Sequence, residues 1–289
     1  MTAFTPAEAA ACHRLVELAL AEDLGAAGDR TSSALIPADQ PGRAAFVART
    51  AGVAAGLPAA ALVCAAVDPT IEFTPAVADG SRLNRGVVLA TVAGSLRSIL
   101  AAERTALNFL QRLSGVASLT QRYADAVAGT RAAVLDTRKT TPGWRLLEKY
   151  AVRMGGGTNH RVGLYDGVLI KDNHLAGLGG DVRRAVELAR AAPGNAGLPV
   201  EVEVDTLDQL EHALAAKADI VLLDNMPPDQ MRAAVARRDA VSPGTKLESS
   251  GGINLDTIAA AAATGVDRIS VGALTHSAPA LDIALDYQP

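Results

Sequence analysis

Aromatic residues are scarce in this chain: four Phe, four Tyr and one Trp make up 3% of 289 residues. A core without large rings must be filled by aliphatic side chains and by close approach of helices and strands, and alanine and valine carry much of the 49% hydrophobic content. Cysteine is also rare. Cys12 and Cys64 lie far apart with no Cys-x-x-Cys or Cys/His spacing, which excludes a disulfide framework or zinc site and fits a reducing cytoplasm. No strong excess of either charge sign exists. The formal net charge of -4 and pI near 5.8 give no general attraction to nucleic acid or anionic membranes, so any basic site must be local. A basic segment followed by an uninterrupted apolar one is missing from the start, where Glu8, Glu17 and Glu22 interrupt an alanine-rich helical pattern; this is not a signal peptide. The uncharged run over 50–67 is broken by Gly52, Gly56 and Pro58, and Pro58 reads as the first residue of a buried helix rather than part of a membrane span. A charged fraction of 20% is ordinary for a globular protein, and the length makes one large domain or two ordinary ones.

The first half reads as α+β, with a helix over 6–22, strands over 43–50, 71–75 and 87–93, and a long helix over 98–128 broken near Ser114-Gly115. From residue 132 the pattern changes. Short apolar runs over 132–135, 167–170, 199–204, 220–223, 245–247 and 268–271 alternate with helices announced by Pro142, Asp181, Asp205 or Thr206, Pro227-Pro228 and Asn254. Alternating strands and helices imply a parallel sheet, and six strands at this spacing suit a closed or nearly closed βα barrel better than an open sheet.

Chemistry in such folds collects at the carboxyl ends of the strands. Three zones emerge there. Small residues, Ser250-Gly251-Gly252 and Gly272-Ala273 after Val271, let main-chain N–H groups approach an anion, with the helix near Asn254 aimed at it. Taken singly, these glycines would do no more than make tight turns. Cations follow from Thr137-Arg138-Lys139, His160-Arg161 and Lys171, with His174 nearby. Gathered in an acidic protein they would repel one another unless a small polyanion compensated them. Any one of them alone would read as a surface cation. Carboxylates form the third zone. Glu203 and Asp224 on neighbouring strands suit Mg²⁺ or sugar hydroxyls, although Glu203 could equally pair with a site lysine, and period-2 alternation puts Glu201 on the same face so that it could exchange roles with Glu203. His13, His212 and His276 read as helix-surface or capping residues, Trp144 as packing, and the cysteines as core hydrophobes.

The segments DTRKTTPG (136–143), EKYAV (148–152), GGGTNHR (155–161), LIKDNH (169–174), EVEV (201–204), LLDN (222–225) and SGGI (250–253), in this order, resemble the quinolinate phosphoribosyltransferases, as does ERTALN (103–108) in the amino half. Lys217, where that family often has glycine, is a small departure. The resemblance implies an α/β fold: an amino-terminal α/β (α+β) sandwich domain over 1–114, joined by the carboxyl-terminal segment 275–289, and an incomplete βα barrel over 115–274. It implies transfer of a phosphoribosyl group from 5-phosphoribosyl 1-pyrophosphate to quinolinate with decarboxylation in de novo NAD synthesis. Mg²⁺ is the implied metal, on Glu203 and Asp224, with no organic cofactor. Arg104, Arg138, His160, Arg161 and Lys171 are similar to the quinolinate pocket, Lys139 and Lys171 to contacts with quinolinate or pyrophosphate, and Ser250, Gly251, Gly252, Gly272 and Ala273 to the 5'-phosphate cradle. Arg104 would reach the site of a second subunit, so at least a homodimer is implied; from its own sequence context Arg104 is an ordinary helix-surface cation. Rival readings are a phosphoribosyltransferase for nicotinate or a related ring, a Schiff-base lyase with Lys171 as nucleophile, and a non-catalytic phosphosugar-binding protein.

Overall fold

The computed structural model describes residues 4–288. Along the chain, α1 (Pro6–Leu24) and α2 (Arg30–Leu35) precede β1 (Pro41–Ala48) and β2 (Gly52–Val53). Then α3 (Leu57–Val67), β3 (Glu72–Pro75), β4 (Arg82–Leu83) and β5 (Val88–Ser95) lead into the long α4 (Leu96–Ala126). The remainder is β6 (Ala133–Leu135), α5 (Arg145–Met154), β7 (Val168–Ile170), α6 (Asp172–Ala176), α7 (Val182–Ala191), β8 (Val200–Val204), α8 (Leu207–Ala215), β9 (Ile220–Asp224), α9 (Pro228–Val241), β10 (Lys246–Ser250), α10 (Ile258–Ala262), β11 (Arg268–Ser270), α11 (Ala273–His276) and β12 (Ile283–Gln288). Among the described residues no helix is long and apolar enough to cross a membrane.

Two compact units divide the chain. One holds the residues up to 121, 140–156 and those from 274 on; the other holds 122–139 and 157–273. This differs from the expected split at 114/115, which falls inside α4, and it assigns α5 to the first unit although α5 lies in sequence between strands of the second.

In the first unit, β12, β1, β5 and β3 form an antiparallel sheet in that order, β12 being a strand that the sequence pattern did not suggest. Helix α1 starts in a capping box, Thr5 Oγ1 accepting from Glu8 N while Glu8 Oε2 accepts from Thr5 N at 2.8 Å. The run weighed as a membrane span becomes the eleven-residue α3, whose first N–H groups are satisfied from outside: buried Asp79 accepts from Gly56 N at 2.8 Å, Leu57 N at 3.2 Å and Tyr150 Oη at 2.6 Å. The expected break at Ser114-Gly115 does not occur. Ser114 Oγ instead clasps the main chain of Ala55, and a Cβ on Gly115 would collide with the Pro279 carbonyl, so both small residues serve close packing. Trp144 stacks on Phe109 with ring centroids 4.9 Å apart, as its packing role requires.

The second unit is a six-stranded parallel sheet ordered β6-β11-β10-β9-β8-β7. It is not closed by strand pairing between β6 and β7. Leu135 of β6 bridges Thr158 instead, so the segment entering β7 runs beside β6, which gives the incomplete βα barrel. Register separates two faces. Val200, Val202, Val204, Val221, Leu223, Leu247 and Ile269 are buried on one, where α7 and α8 pack on β8. The other carries Leu169, Glu201, Glu203, Leu222, Asp224, Glu248, Ser250, Arg268 and Ser270, an unusually polar set for a sheet interior. The helix start signals at Asp181 and Thr206 are N-caps, their side chains accepting from Arg184 N and Gln209 N. Asn254 caps a turn ahead of α10, accepting from the N–H groups of Asp256 and Thr257, while the regular helix begins four residues later at Ile258. Those two donors are therefore spent locally rather than aimed at an anion.

Candidate active site

The polar face opens into a cavity of about 330 Å³ lined by Thr137, Arg138, Lys139, His160, Arg161, Lys171, Glu203, Asp224, Asn225, Glu248, Ser250, Gly251 and Ser270 with Leu169 and Leu222. Ten of the residues singled out from strand ends meet there: Thr137, Arg138, Lys139, His160, Arg161, Lys171, Glu203, Asp224, Ser250 and Gly251. Gly252 is exposed and Gly272 and Ala273 are half-buried, and all three lie outside the lining. Val271 is buried two positions beyond Ile269, on the opposite strand face, with its N–H given to Leu135 O. Arg104 is exposed on α4 in the first unit.

Asp136 ties two loops into one wall. Fully buried at the end of β6, it accepts from His160 N at 2.9 Å and Asn159 Nδ2 at 2.6 Å, bringing the 136–139 and 158–161 segments side by side. Arg161 Nη1 donates to Gly167 O at 3.0 Å. Burial, and then the neighbouring Arg138 charge, depress the Arg161 guanidinium below its ordinary value, an arrangement that a bound anion would relieve.

On the opposite wall, Glu203 faces Lys171 Nζ at 3.9 Å, a loose pair with the lysine half exposed. Burial raises the Glu203 carboxyl above its ordinary range; Lys171 opposes this, while Asp224, Asp172 and Asp205 add to it. Asp224 accepts from Asn225 Nδ2 at 2.7 Å. Asn225 adopts a left-handed backbone with φ of 51°, and Gly251 (φ of 91°) has no room for a Cβ because it would collide with the Asn225 amide. The LLDN and SGG turns thus lock into each other.

Beneath these walls lies a buried ionisable group. His160 Nε2 is 3.1 Å from Glu201 Oε2 and 3.4 Å from Glu248 Oε1. Glu248 also accepts from Arg268 Nε at 2.6 Å and from the Ser270 hydroxyl. Burial opposes the charge on Glu248, but His160 and Arg268 hold its carboxyl below the usual range; burial raises Glu201, with His160 only partly opposing it. For the imidazole, burial disfavours the charged form, but the two carboxylates outweigh it and push the ring up to about 9. Against that pull, Arg161 N donates to His160 Nδ1 at 2.8 Å, which fixes Nδ1 as an acceptor. That contact casts Nδ1 as acceptor and leaves Nε2–H to face the two carboxylates, so a proton on Nδ1 would require the Arg161 amide to turn away. Glu201 and Glu203 share a face, as alternation requires, but they part in depth: Glu203 at the mouth, Glu201 in the interior. Glu248 and Asn225 stand at strand ends, inside or beside motif segments, but the sequence pattern assigns neither of them a role.

The carboxyl-terminal domain model of quinolinate phosphoribosyl transferase matches residues 116–286, and the amino-terminal domain model matches 29–114. The chain belongs to the quinolinate phosphoribosyltransferase family. It is 48% identical over 273 residues to a nicotinate-nucleotide pyrophosphorylase [carboxylating] of Mycobacterium leprae, covering 94% of this chain and 95% of that one. A quinolinate phosphoribosyltransferase [decarboxylating] 1b of Nicotiana tabacum is 40% identical over 287 residues, covering 94% of this chain and 81% of its own. Among solved structures, the nicotinate-nucleotide pyrophosphorylase from Francisella tularensis superposes with a TM-score of 0.90 at 41% identity, covering 96% of each chain. The family expectation read from seven short segments therefore extends across both units.

Proposed function

We propose that this chain catalyses phosphoribosyl transfer from 5-phosphoribosyl 1-pyrophosphate to quinolinate with loss of CO2, giving nicotinate mononucleotide and pyrophosphate. The observation that carries this reading is the convergence of Arg138, Lys139, Arg161 and Lys171 with Glu203 and Asp224 around one cavity. A dicarboxylate and a phosphorylated sugar together supply the negative charge such a site demands. The pyridine nitrogen attacks the anomeric carbon with its own lone pair, the bond to pyrophosphate oxygen breaks, and no general base is needed. The ring nitrogen is then cationic. Its positive charge stabilises the electron pair left on the adjacent ring carbon as CO2 departs, and that carbon uses the pair to take up a proton from solvent. Ion-pairing the departing carboxylate would oppose this step, so Arg138 and Arg161 grip the other carboxylate, while Lys139 and Lys171 stabilise charge on the pyrophosphate. Ser250 and Gly251 are the proposed seat of the 5'-phosphate.

Glu203 and Asp224 fit a divalent cation. They are oxygen donors on the same face of adjacent strands, and burial together with the neighbouring Asp224, Asp172 and Asp205 raises Glu203 in a way that a cation would relieve. Bound there, Mg²⁺ would supply charge neutralisation for the pyrophosphate leaving group. The proposal includes a homodimer, in which Arg104 completes the cavity of a second copy, and a cytoplasmic setting, which the free buried thiols of Cys12 and Cys64 support.

The test is formation of nicotinate mononucleotide and CO2 from quinolinate, 5-phosphoribosyl 1-pyrophosphate and Mg²⁺, with nicotinate as the competing acceptor and EDTA as the control. Turnover with nicotinate alone would replace the acceptor, and absence of any turnover would leave a phosphosugar-binding protein.

A further inference from the structure

Glu201 and Glu248 stand on β8 and β10, separated by β9, and they meet only because His160 reaches in from the loop before β7. The contacts form a continuous run: Arg268 to Glu248, Glu248 and Glu201 to His160 Nε2, and His160 Nδ1 to the main-chain N–H of Arg161. Glu248 has no exposed side-chain surface, Glu201 is 3% exposed, and the His160 side chain is 10% exposed. Placing two carboxylates and an arginine inside a sheet is costly when aliphatic residues of similar size would fill the space, and the outer face of the same strands shows that such residues are available to this fold. Fold stability is thus a poor reason for the arrangement.

What the run does control is geometry. The imidazole is gripped on both nitrogens, so its plane is fixed, and the amide it anchors belongs to the residue that presents a guanidinium to the cavity. Asp136 holds the preceding amide, that of His160, in the same way. We propose that Glu248 and Glu201 are positioning residues: acting through His160, they hold the Arg161 main chain where its guanidinium receives the acceptor's carboxylate. His160 on this account orients the pocket through Nδ1 and Nε2. This rests on the quinolinate-transfer reading and deepens it.

The experiment compares wild type with Glu248→Gln and Glu201→Gln, measuring KM and kcat for quinolinate, Kd for 5-phosphoribosyl 1-pyrophosphate by calorimetry, and Tm. Glutamine at 248 keeps an acceptor for Nε2–H but loses the charge that anchors Arg268. The expected result for Glu248→Gln is a quinolinate KM raised roughly tenfold to a hundredfold, as for a binding group displaced by about an ångström, with the Kd for the phosphosugar changed by less than about threefold. Glu201→Gln, which preserves volume and faces the same nitrogen, should shift KM in the same direction by less; it keeps the idea testable should the 248 variant not fold. Equal loss for both substrates, or a lowered Tm with quinolinate KM unchanged in both variants, would overturn the proposal. Failure of the parent reading is separate, because wild type would then show no quinolinate turnover at all.

Discussion

Arg112 Nε donates to Glu148 Oε1 at 3.2 Å while Thr141 N donates to Oε2 at 3.1 Å, and Glu148 is wholly buried within the first unit. Arg112 further donates to the carbonyl of Ala278 at 3.0 Å, so one carboxylate anchors a guanidinium that also holds the chain leading to β12. Removing Glu148 takes the carboxylate partner from a partly buried guanidinium and leaves a void at a wholly buried position. Glu148→Ala is expected to lower unfolding free energy by about 3–5 kcal/mol in urea titration; a loss under about 1 kcal/mol would show that the pair adds little.

Lys171→Ala should leave Tm close to wild type, because the side chain is half exposed and only loosely paired with Glu203 at 3.9 Å. Its kcat/KM should fall by about a hundredfold to a thousandfold, the usual cost of losing one group that stabilises developing charge. Steady-state kinetics showing less than a threefold change would remove Lys171 from the chemistry.

The two glycines after β10 should rank in a fixed order. Gly251→Ala must strain a left-handed backbone and push the Asn225 amide, and Asn225 orients Asp224, so both stability and activity should suffer. Gly252→Ala meets nothing within 4 Å and strains only its φ of 63°, a cost of about 1 kcal/mol. Equal activity of the two variants would contradict this interlock.

Lys217, the one departure noticed from the family pattern, has a φ of 56° in the turn between α8 and β9, a conformation that glycine adopts without steric cost. Lys217→Gly should therefore be neutral or stabilising by up to about 1 kcal/mol, strain relief being offset by the freer unfolded chain. A clear drop in thermal midpoint would refute that.

Burial pushes the thiols of Cys12 and Cys64 up to about 12 and 11. Neither should react with iodoacetamide at pH 8 in the native state, and both should react once urea unfolds the chain, as mass spectrometry would report.

Much of this was legible in sequence because it is local. The parallel strands showed as apolar runs, Asp181 and Thr206 announced their helices, and the cations and carboxylates sat at strand ends where parallel sheets collect their chemistry. What sequence could not supply were relationships between distant segments. Glu248 opens a run, ESSGG, that reads as a phosphate turn, and its importance lies in His160 and Arg268, neither adjacent to it in the chain. Ser114-Gly115 looked like a helix break because small residues favour breaks locally, whereas the carbonyl of Pro279 decides the matter from far along the chain. The helix after Pro142 follows a barrel strand in order but packs with the first unit, and only three-dimensional contact reveals that.

The division of the parallel strands into a mainly aliphatic face and a mainly polar one sets which kinds of genetic change this protein can absorb. Replacing Val202 by isoleucine is a matter of volume, whereas deleting one residue ahead of β8 would swing both glutamates into the helical jacket and turn valines toward the substrates. Length, more than composition, is what drift cannot touch in these segments.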